Sequence, residues 1–298
     1  MSGTAPAVSI VIVNWNARRV LLDCLASIER HPPSVPWEAI VVDNGSTDGS
    51  VAAATGAAPS TRIVANDTNR GLAAANNQGI SAARAEAIVI SNPDVVFRPG
   101  AIDALLATAD RHPRAAFVVA RLLHADGSVQ TGAGDLPTLA DALLGRQVAR
   151  RRATHGQTQG FWWDGWGHDE ERPVGHGAEA CYLVRGEALA DIGLQDEGYV
   201  LDWEGLDWSA RAWDAGWEIW FCPAAEVIHV GGASVRQVPA RWVVQSHRGM
   251  YRYFRSRRSV VARPLLWTAF ATRAAFKLVG VAARLPLHER ALRPPSRV

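Results

Sequence analysis

The 298 residues are 48% hydrophobic and 20% charged, enough for one sizeable core with an appendage. Three cysteines, Cys24, Cys181 and Cys222, are odd in number and never form a Cys-x-x-Cys pair, which argues against a disulfide framework or a zinc site and for a reducing cytosol. The net charge of +2 conceals an asymmetry: from Arg241 onward 13 Lys and Arg face the single acid Glu289, so a polycationic tail is attached to a mildly acidic body.

The first apolar run, Val8 to Val13, has no basic flank and is too short for a signal-peptide core, so it reads as a strand. Val20 to Arg30 places Leu21, Leu22, Leu25 and Ile28 at helical spacing, and Ala39 to Val42 is a second buried strand, completing a βαβ unit. Ile63 to Ala65, an alanine-rich helix beginning at Leu72 and a strand at Ala87 to Ile90 continue the alternation. The predicted class is therefore α/β, with a mainly parallel central sheet flanked by helices and a C-terminal helical tail.

In such a sheet ligands collect beyond the carboxyl ends of the strands. The polar clusters fall there: Asn14-Trp15-Asn16 after the first strand, Asp43 to Gly49 after the second, and Asn92-Pro93-Asp94 after the fourth. Turn formation or helix capping would account for any one of them alone; their joint placement points to a site. Asp48 is read as a helix-start residue.

Several segments carry a resemblance: Val41 to Ser50, Asn69 to Gly79, Ser91 to Val95, Gly177-Ala178, Asp196-Glu197, Glu204 to Arg211, Gly216-Trp217 and His229 to Ser234. In this order they resemble glycosyltransferase family 2, especially its rhamnosyltransferase-like bacterial members, over Val8 to Ser234. The resemblance implies a GT-A fold in residues 1–240, with residues 241–298 as a basic, amphipathic helical tail. It implies a nucleotide-diphospho-sugar donor, dTDP- or UDP-linked, with rhamnose as the sugar. The acceptor implied is a saccharide or lipid-linked saccharide, and the setting cell-envelope or polysaccharide synthesis.

Carried onto this chain, Asn14, Asp43 and Asn44 meet the polar edge of the base, Arg70 adds charge near the phosphates, and Asn77 holds its loop. Asp94 is the metal ligand, joined by His229, for Mg²⁺ or Mn²⁺; Asn92 offers only a neutral carbonyl where the family motif often has a second carboxylate. Inverting transfer needs a carboxylate to take the acceptor proton. The family supplies it from a Glu-Asp pair opening a helix, but here Gly205 stands in the place of that Asp. Glu204, then Asp207, then Asp202 are the candidates that remain. Asp207 also has the spacing for an i, i+4 pair with Arg211. Gly205 equally admits a catalytically inactive sugar-nucleotide binder.

Arg146 to Pro173 reads as a long loop over the site, in which Trp162, Trp163 and Trp166 stack on sugar or pin the loop to the body. In the tail, Pro264 to Thr272 is the longest uncharged stretch, short of the roughly 20 residues that cross a bilayer, so a spanning helix is set aside. Arg273, Lys277 and Arg284 share a helical face that Trp267, Leu278 and Val279 avoid, as in a helix lying on a membrane surface; packing on the catalytic domain is the alternative. The expected location is cytoplasmic, peripheral on the inner face of the membrane. Arg248, Arg252, Arg255, Arg257 and Arg258 would also suit nucleic acid, but no helix-turn-helix, zinc or RNP-like pattern accompanies them, and no nucleic-acid partner is expected.

Overall fold

The computed structural model describes residues 5–144, 161–163, 165–231 and 239–284. The first apolar run forms β1 (Val8–Asn14), buried at every position. Then come α1 (Arg18–Arg30), β2 (Trp37–Asp43), α2 (Ser50–Ala57), β3 (Arg62–Ala65), α3 (Leu72–Ala82) and β4 (Ala87–Ser91), the alternation expected from the sequence. The four strands are mutually parallel in the order β3, β2, β1, β4.

The second half is mixed. It contains β5 (Val95–Phe97), α4 (Ala101–Arg111), β6 (Ala115–Leu123), β7 (Ala133–Gly134), α5 (Leu139–Leu144), β8 (Arg172–Pro173), β9 (His176–Gly177), β10 (Cys181–Arg185), α6 (Ala188–Ile192), α7 (Glu204–Asp214) and β11 (Glu218–His229). Strand β10 enters antiparallel between β4 and β6, while β6 and β11 run parallel, giving the order β3-β2-β1-β4-β10-β6-β11-β5 with β8 beside β11. The short β5 lies antiparallel on the end of β11, which brings Val95 opposite His229.

Period-two alternation sends successive β1 side chains to opposite faces. Ile10 and Ile12 join Leu21, Leu25 and Leu105 in one core under α1 and α4, whereas Val11 and Val13 join Ala75, Ile80 and Trp208 in a second core under α3 and α7. Helix α3 lies very close to the sheet: a Cβ on Gly79 would fall 2.1 Å from Val11 Cγ1.

The tail folds back as α8 (Pro239–Ser256) and α9 (Arg263–Arg284). Met250, Tyr253, Phe254, Leu266 and Phe270 build a third core with Tyr199, Trp203, Leu206 and Ala210. The boundary drawn at residue 240 from charge is thus crossed by packing: α8 is a wall of the body. Helix α9 turns the half-buried Arg273 toward His247 Nε2 at 3.0 Å and lays the exposed Lys277 over the Trp242 ring, so these two basic residues reach back to α8. Leu265, Phe276 and Val279, which share the other face at 100° per residue, are exposed. Packing and exposure therefore apply to opposite faces of one helix. The span Val260–Ala282 is also long and apolar enough to cross a bilayer by length and composition, so the uncharged run was too narrow a criterion for setting spanning aside. Arg284 lies at the helix end and its side chain outside the described set.

Candidate functional site

The carboxyl end of β2 turns sharply, and its polar groups mostly hold one another. Asn14 is fully buried; its Nδ2 donates to Asp43 Oδ1 at 2.8 Å and to Ser46 Oγ at 3.1 Å, while the Ser46 N–H donates to Asp43 Oδ2 at 2.9 Å. Asn44 donates to Asn69 Oδ1 and to the Gly71 carbonyl, and accepts from the Arg70 N–H at 2.9 Å and from Asn66 Nδ2. Asn14 Nδ2 and the Asn44 amide thus help build the turn that carries Asp43, while Asn14 Oδ1 is buried with no hydrogen-bond partner among the described residues. The Arg70 side chain stands exposed beside that turn, with no ion pair among the described residues. Asn77 exchanges hydrogen bonds with the Gln195 backbone at 2.9 and 3.0 Å. Asp48 accepts from the Arg18 and Ser50 N–H groups, a capping role.

Asp94 and His229, far apart in sequence, meet where β5 pairs with β11. His229 Nε2 is 3.6 Å from Asp94 Oδ1, and the Val230 N–H donates to the Asp94 carbonyl at 3.1 Å. Gln130 decides the imidazole tautomer. Its Nε2 points at the carbonyls of His229 and Leu123, which makes Oε1 the acceptor facing His229 Nδ1 at 3.1 Å. Nδ1 then carries the hydrogen and Nε2 presents a lone pair to Asp94. Burial holds the His229 pKa below its ordinary value, against the pull of Asp94, favouring the neutral ring. A lone pair facing a buried carboxylate is the donor set of a cation site, and the residues fit a hard divalent ion. Among the described residues no cluster of three or more such ligands exists.

Beside this pair opens a cavity of about 300 Å³, whose lining includes Asn92 and His229, the acids Glu179, Asp202 and Glu204, and Trp162, His176 and Trp242. The start of α7 is strained: Asp202 and Trp203 are consecutive non-glycine residues at φ 71° and 79°, each costing on the order of 1–3 kcal/mol. Trp203 is held by Tyr253 and Phe254 of α8, and Asp202 Oδ2 accepts from Ser246 Oγ at 2.7 Å. The tail helix therefore maintains the turn that aims Glu204 into the cavity.

Glu204 is 1% exposed and its Oε2 has no hydrogen-bond partner. Burial, then the neighbouring Glu179 and Asp202, push its pKa well above the ordinary carboxylate range. Burial likewise raises Asp202. Asp207, by contrast, is directed away from the cavity lining. It takes Arg211 Nε at 3.0 Å and an Arg257 Nη at 3.2 Å, so the i, i+4 alternative describes it and the catalytic assignment is corrected to an ion-paired structural acid.

Sequence reasoning passed over Glu179, between the Gly177-Ala178 segment and β10. The available signal was a carboxylate next to an apolar strand, in a chain with a glycine where an acid was expected. Its pKa is raised to about 8 by burial and by Asp202, while the Gly205 N–H donates to its Oε1 at 2.7 Å. The loop tryptophans divide: Trp162 lines the cavity, whereas Trp163 and Trp166 pack into the second core, with Trp166 edge-on to Phe221. Arg150 to Arg152 and Gly232 to Ser234 lie outside the described residues.

Comparison with known proteins shows the family and the fold. The sequence model of glycosyl transferase family 2 matches residues 9–168. The N-acetylglucosaminyl-diphospho-decaprenol L-rhamnosyltransferase of Mycobacterium tuberculosis, in two strains, is 33% identical over 249 residues, 78% of this chain and 80% of that protein. Among solved structures, GalNAc-T7 with UDP, GalNAc and Mn²⁺ superposes with a TM-score of 0.56 at 16% identity, covering 80% of this chain and 47% of that one, so the chain spans just under half its length. The mannosyltransferase PcManGT of Pyrobaculum calidifontis, in complex with GDP-Man and Mn²⁺, gives 0.54 at 19% identity, covering 97% of this chain and 79% of that one. The two structures show the fold, and the family match with the long rhamnosyltransferase alignment shows the lineage: this chain belongs to glycosyltransferase family 2 and is a rhamnosyltransferase-like glycosyltransferase of GT-A fold.

Proposed function

We propose that the protein transfers a rhamnose-type sugar, with inversion, from a dTDP- or UDP-linked donor to a hydroxyl of a lipid-linked saccharide at the cytoplasmic membrane surface, in envelope polysaccharide synthesis. The observation that carries this reading is the Asp94–His229 pair, 3.6 Å apart, beside a cavity that His229 lines together with a cluster of buried carboxyl groups, Glu179, Asp202 and Glu204. The first element suits a leaving diphosphate and the second an acceptor proton, and inversion requires the two on opposite faces of the sugar. The 33% identity to an enzyme named for a lipid-diphospho-N-acetylglucosamine acceptor supports the acceptor class.

Asp94 and His229 would hold Mg²⁺ or Mn²⁺, which when bound offsets the charge developing on the departing diphosphate. Asp43, fixed by Asn14 and Ser46, orients the base, and exposed Arg70 attracts the phosphates. Trp162 and Trp242 offer ring surface to the acceptor sugar, and the carboxyl cluster takes its proton.

The test is nucleoside diphosphate release by purified protein across dTDP-, UDP- and GDP-sugars, with Mn²⁺ or Mg²⁺ and a prenyl-diphosphate-linked N-acetylglucosamine acceptor. One donor consumed in a metal-dependent way, with Asp94→Ala inactive, is the expected result. Binding of a donor without turnover would favour the inactive binder that Gly205 raised, and no response to any nucleotide would overturn the reading.

A further inference from the structure

Gly205 has no conformational reason to be glycine. It lies in the first turn of α7 and is absent from the positive-φ glycines, so it sacrifices up to about 1 kcal/mol of helix propensity relative to alanine. What its missing side chain provides is room. A Cβ built on Gly205 would fall 2.0 Å from Glu179 Oε1 and 2.1 Å from Glu179 Cδ. The volume that a residue-205 side chain would fill is occupied by the Glu179 carboxyl group, delivered from the strand side of the cavity.

We propose that Glu179 is the catalytic base of this enzyme, its carboxylate standing over Gly205 at the N-terminus of α7 and removing the proton of the acceptor hydroxyl. This rests on the transferase reading above. In the step, the acceptor O–H proton passes to Glu179 Oε2, the oxygen lone pair forms the bond to the anomeric carbon, and the bond from that carbon to the diphosphate oxygen breaks. Its electron pair leaves with the nucleoside diphosphate.

Three features favour Glu179 over its neighbours. Its two oxygens are differentiated: Oε1 accepts the Gly205 N–H, which fixes the group, while Oε2 has no partner among the described residues and can take a proton. Asp202 is engaged by Ser246, and Asp207 by Arg211 and Arg257. Glu204 lies beside Glu179, and two buried carboxyls at close range do not both ionise. Burial pushes both of them up, and the Gly205 N–H, which donates to Glu179 Oε1 at 2.7 Å and steadies its charged form, favours Glu179 as the member that ionises. The groups facing it are Glu204 and Asp202 at the start of α7, Tyr182 on β10, and His176 across the cavity.

The alternative is that Glu179 only caps α7, and Glu179→Gln separates the two, because the amide oxygen still accepts from Gly205 N–H. In the full-length protein, with the donor that the wild type consumes and the prenyl-diphosphate-linked acceptor, kcat should fall about 10²- to 10⁴-fold. The nucleoside diphosphate should bind with unchanged affinity in the presence of Mn²⁺, and melting should change little. The wild-type rate should climb between pH 7 and 9 and that limb should vanish in the variant. The pair Glu179→Ala with Gly205→Asp, which returns a carboxyl from the helix side, should recover at least tenfold over Glu179→Ala alone. Wild-type turnover that survives Glu179→Gln within threefold, with its pH limb intact, overturns the assignment and leaves a helix cap. Absence of turnover in wild type and variants alike, for every donor, would instead overturn the transferase reading.

Discussion

Arg252 closes a two-point fork on Asp196, with Nε 2.7 Å from Oδ2 and an Nη 2.8 Å from Oδ1. The pair joins α8 of the basic tail to the loop whose neighbours, Gln195 and Glu197, hold Asn77 of α3. Gly198 permits the approach, since a Cβ there would lie 2.3 Å from the guanidinium carbon. Thus one arginine of a segment that looks like a solvated polycation fastens the tail to the donor side of the fold. Both partners are about a third exposed, so screening limits the contribution. Arg252→Ala should cost about 1 kcal/mol and lower the melting temperature by about 2 °C. Removal of residues 239–298 should prevent folding of the 199–206 segment, because Trp203, Leu206 and Tyr199 lose their core. Differential scanning calorimetry of the substitution and limited proteolysis of the truncation check these two outcomes.

The closeness of α3 to the sheet gives a second expectation. The missing Gly79 side chain lets α3 rest on Val11, which is fully buried in β1. Gly79→Ala gains helix propensity, yet its methyl would stand 2.1 Å from Val11 Cγ1, and overpacking of this kind costs about 1–3 kcal/mol. The variant should therefore be less stable in urea despite a better helix former. Adding Val11→Ala should return part of the loss, which distinguishes crowding from a backbone effect.

The parallel half of the fold was legible because β1, β2 and β4 are buried on both faces, so each shows as a continuous apolar run ending in turn residues. The antiparallel insertion of β10 was not, since a buried five-residue strand carries no mark of direction. At the site, Asp94 and His229 could be paired only through family resemblance: their meeting depends on β5 folding back on β11, a contact across more than a hundred residues. Asp207 was legible as either a base or a helix ion pair, and it pairs both with Arg211 and with Arg257, from a tail that composition had separated from the body. Glu179 was hidden for a physical reason as well. A carboxylate that replaces a side chain of another element leaves two unremarkable positions in sequence, and only their distance in space relates them.

Acid stability offers a test remote from the site. Glu171 takes Arg111 Nη2 at 2.5 Å, His112 Nε2 at 2.8 Å and Thr108 Oγ1 at 2.9 Å. Those hydrogen bonds, Arg111 first, hold its pKa down to about 2 against 4.5 for a free glutamate. A carboxylate depressed in the folded state adds stability that is fully present above its unfolded pKa and is lost as pH falls through the folded one. The stability gap between wild type and Glu171→Gln should thus be constant above about pH 5 and close progressively toward pH 2. With Arg111 half exposed, screening reduces it to about 1–2 kcal/mol at neutral pH. Urea titrations at unit pH intervals would reveal it, and a gap that persists undiminished at pH 2 would rule out the charged network as its source.

The exposed face of α9 bears on where the enzyme meets a lipid-linked acceptor. Leu265 and Phe276 are each 76% exposed and Val279 69%, an unusual concentration of large apolar side chains on one helix. Burying such a side chain in acyl chains contributes about 1.5–3 kcal/mol. Arg273 and Lys277 are already engaged with His247 and Trp242, so attachment should depend more on apolar burial than on charge. Replacing Leu265, Phe276 and Val279 with Ser should reduce partition of the full-length protein onto vesicles of phosphatidylglycerol and phosphatidylethanolamine by at least 100-fold. Raising salt from 0.05 to 0.5 M should reduce wild-type partition far less. Loss of binding in high salt, with the serine variant unaffected, would transfer the attachment to the arginines. Alkaline carbonate extraction of membranes from expressing cells then separates the two remaining geometries: a helix lying in the interface is released, whereas one that crosses the bilayer stays in the pellet.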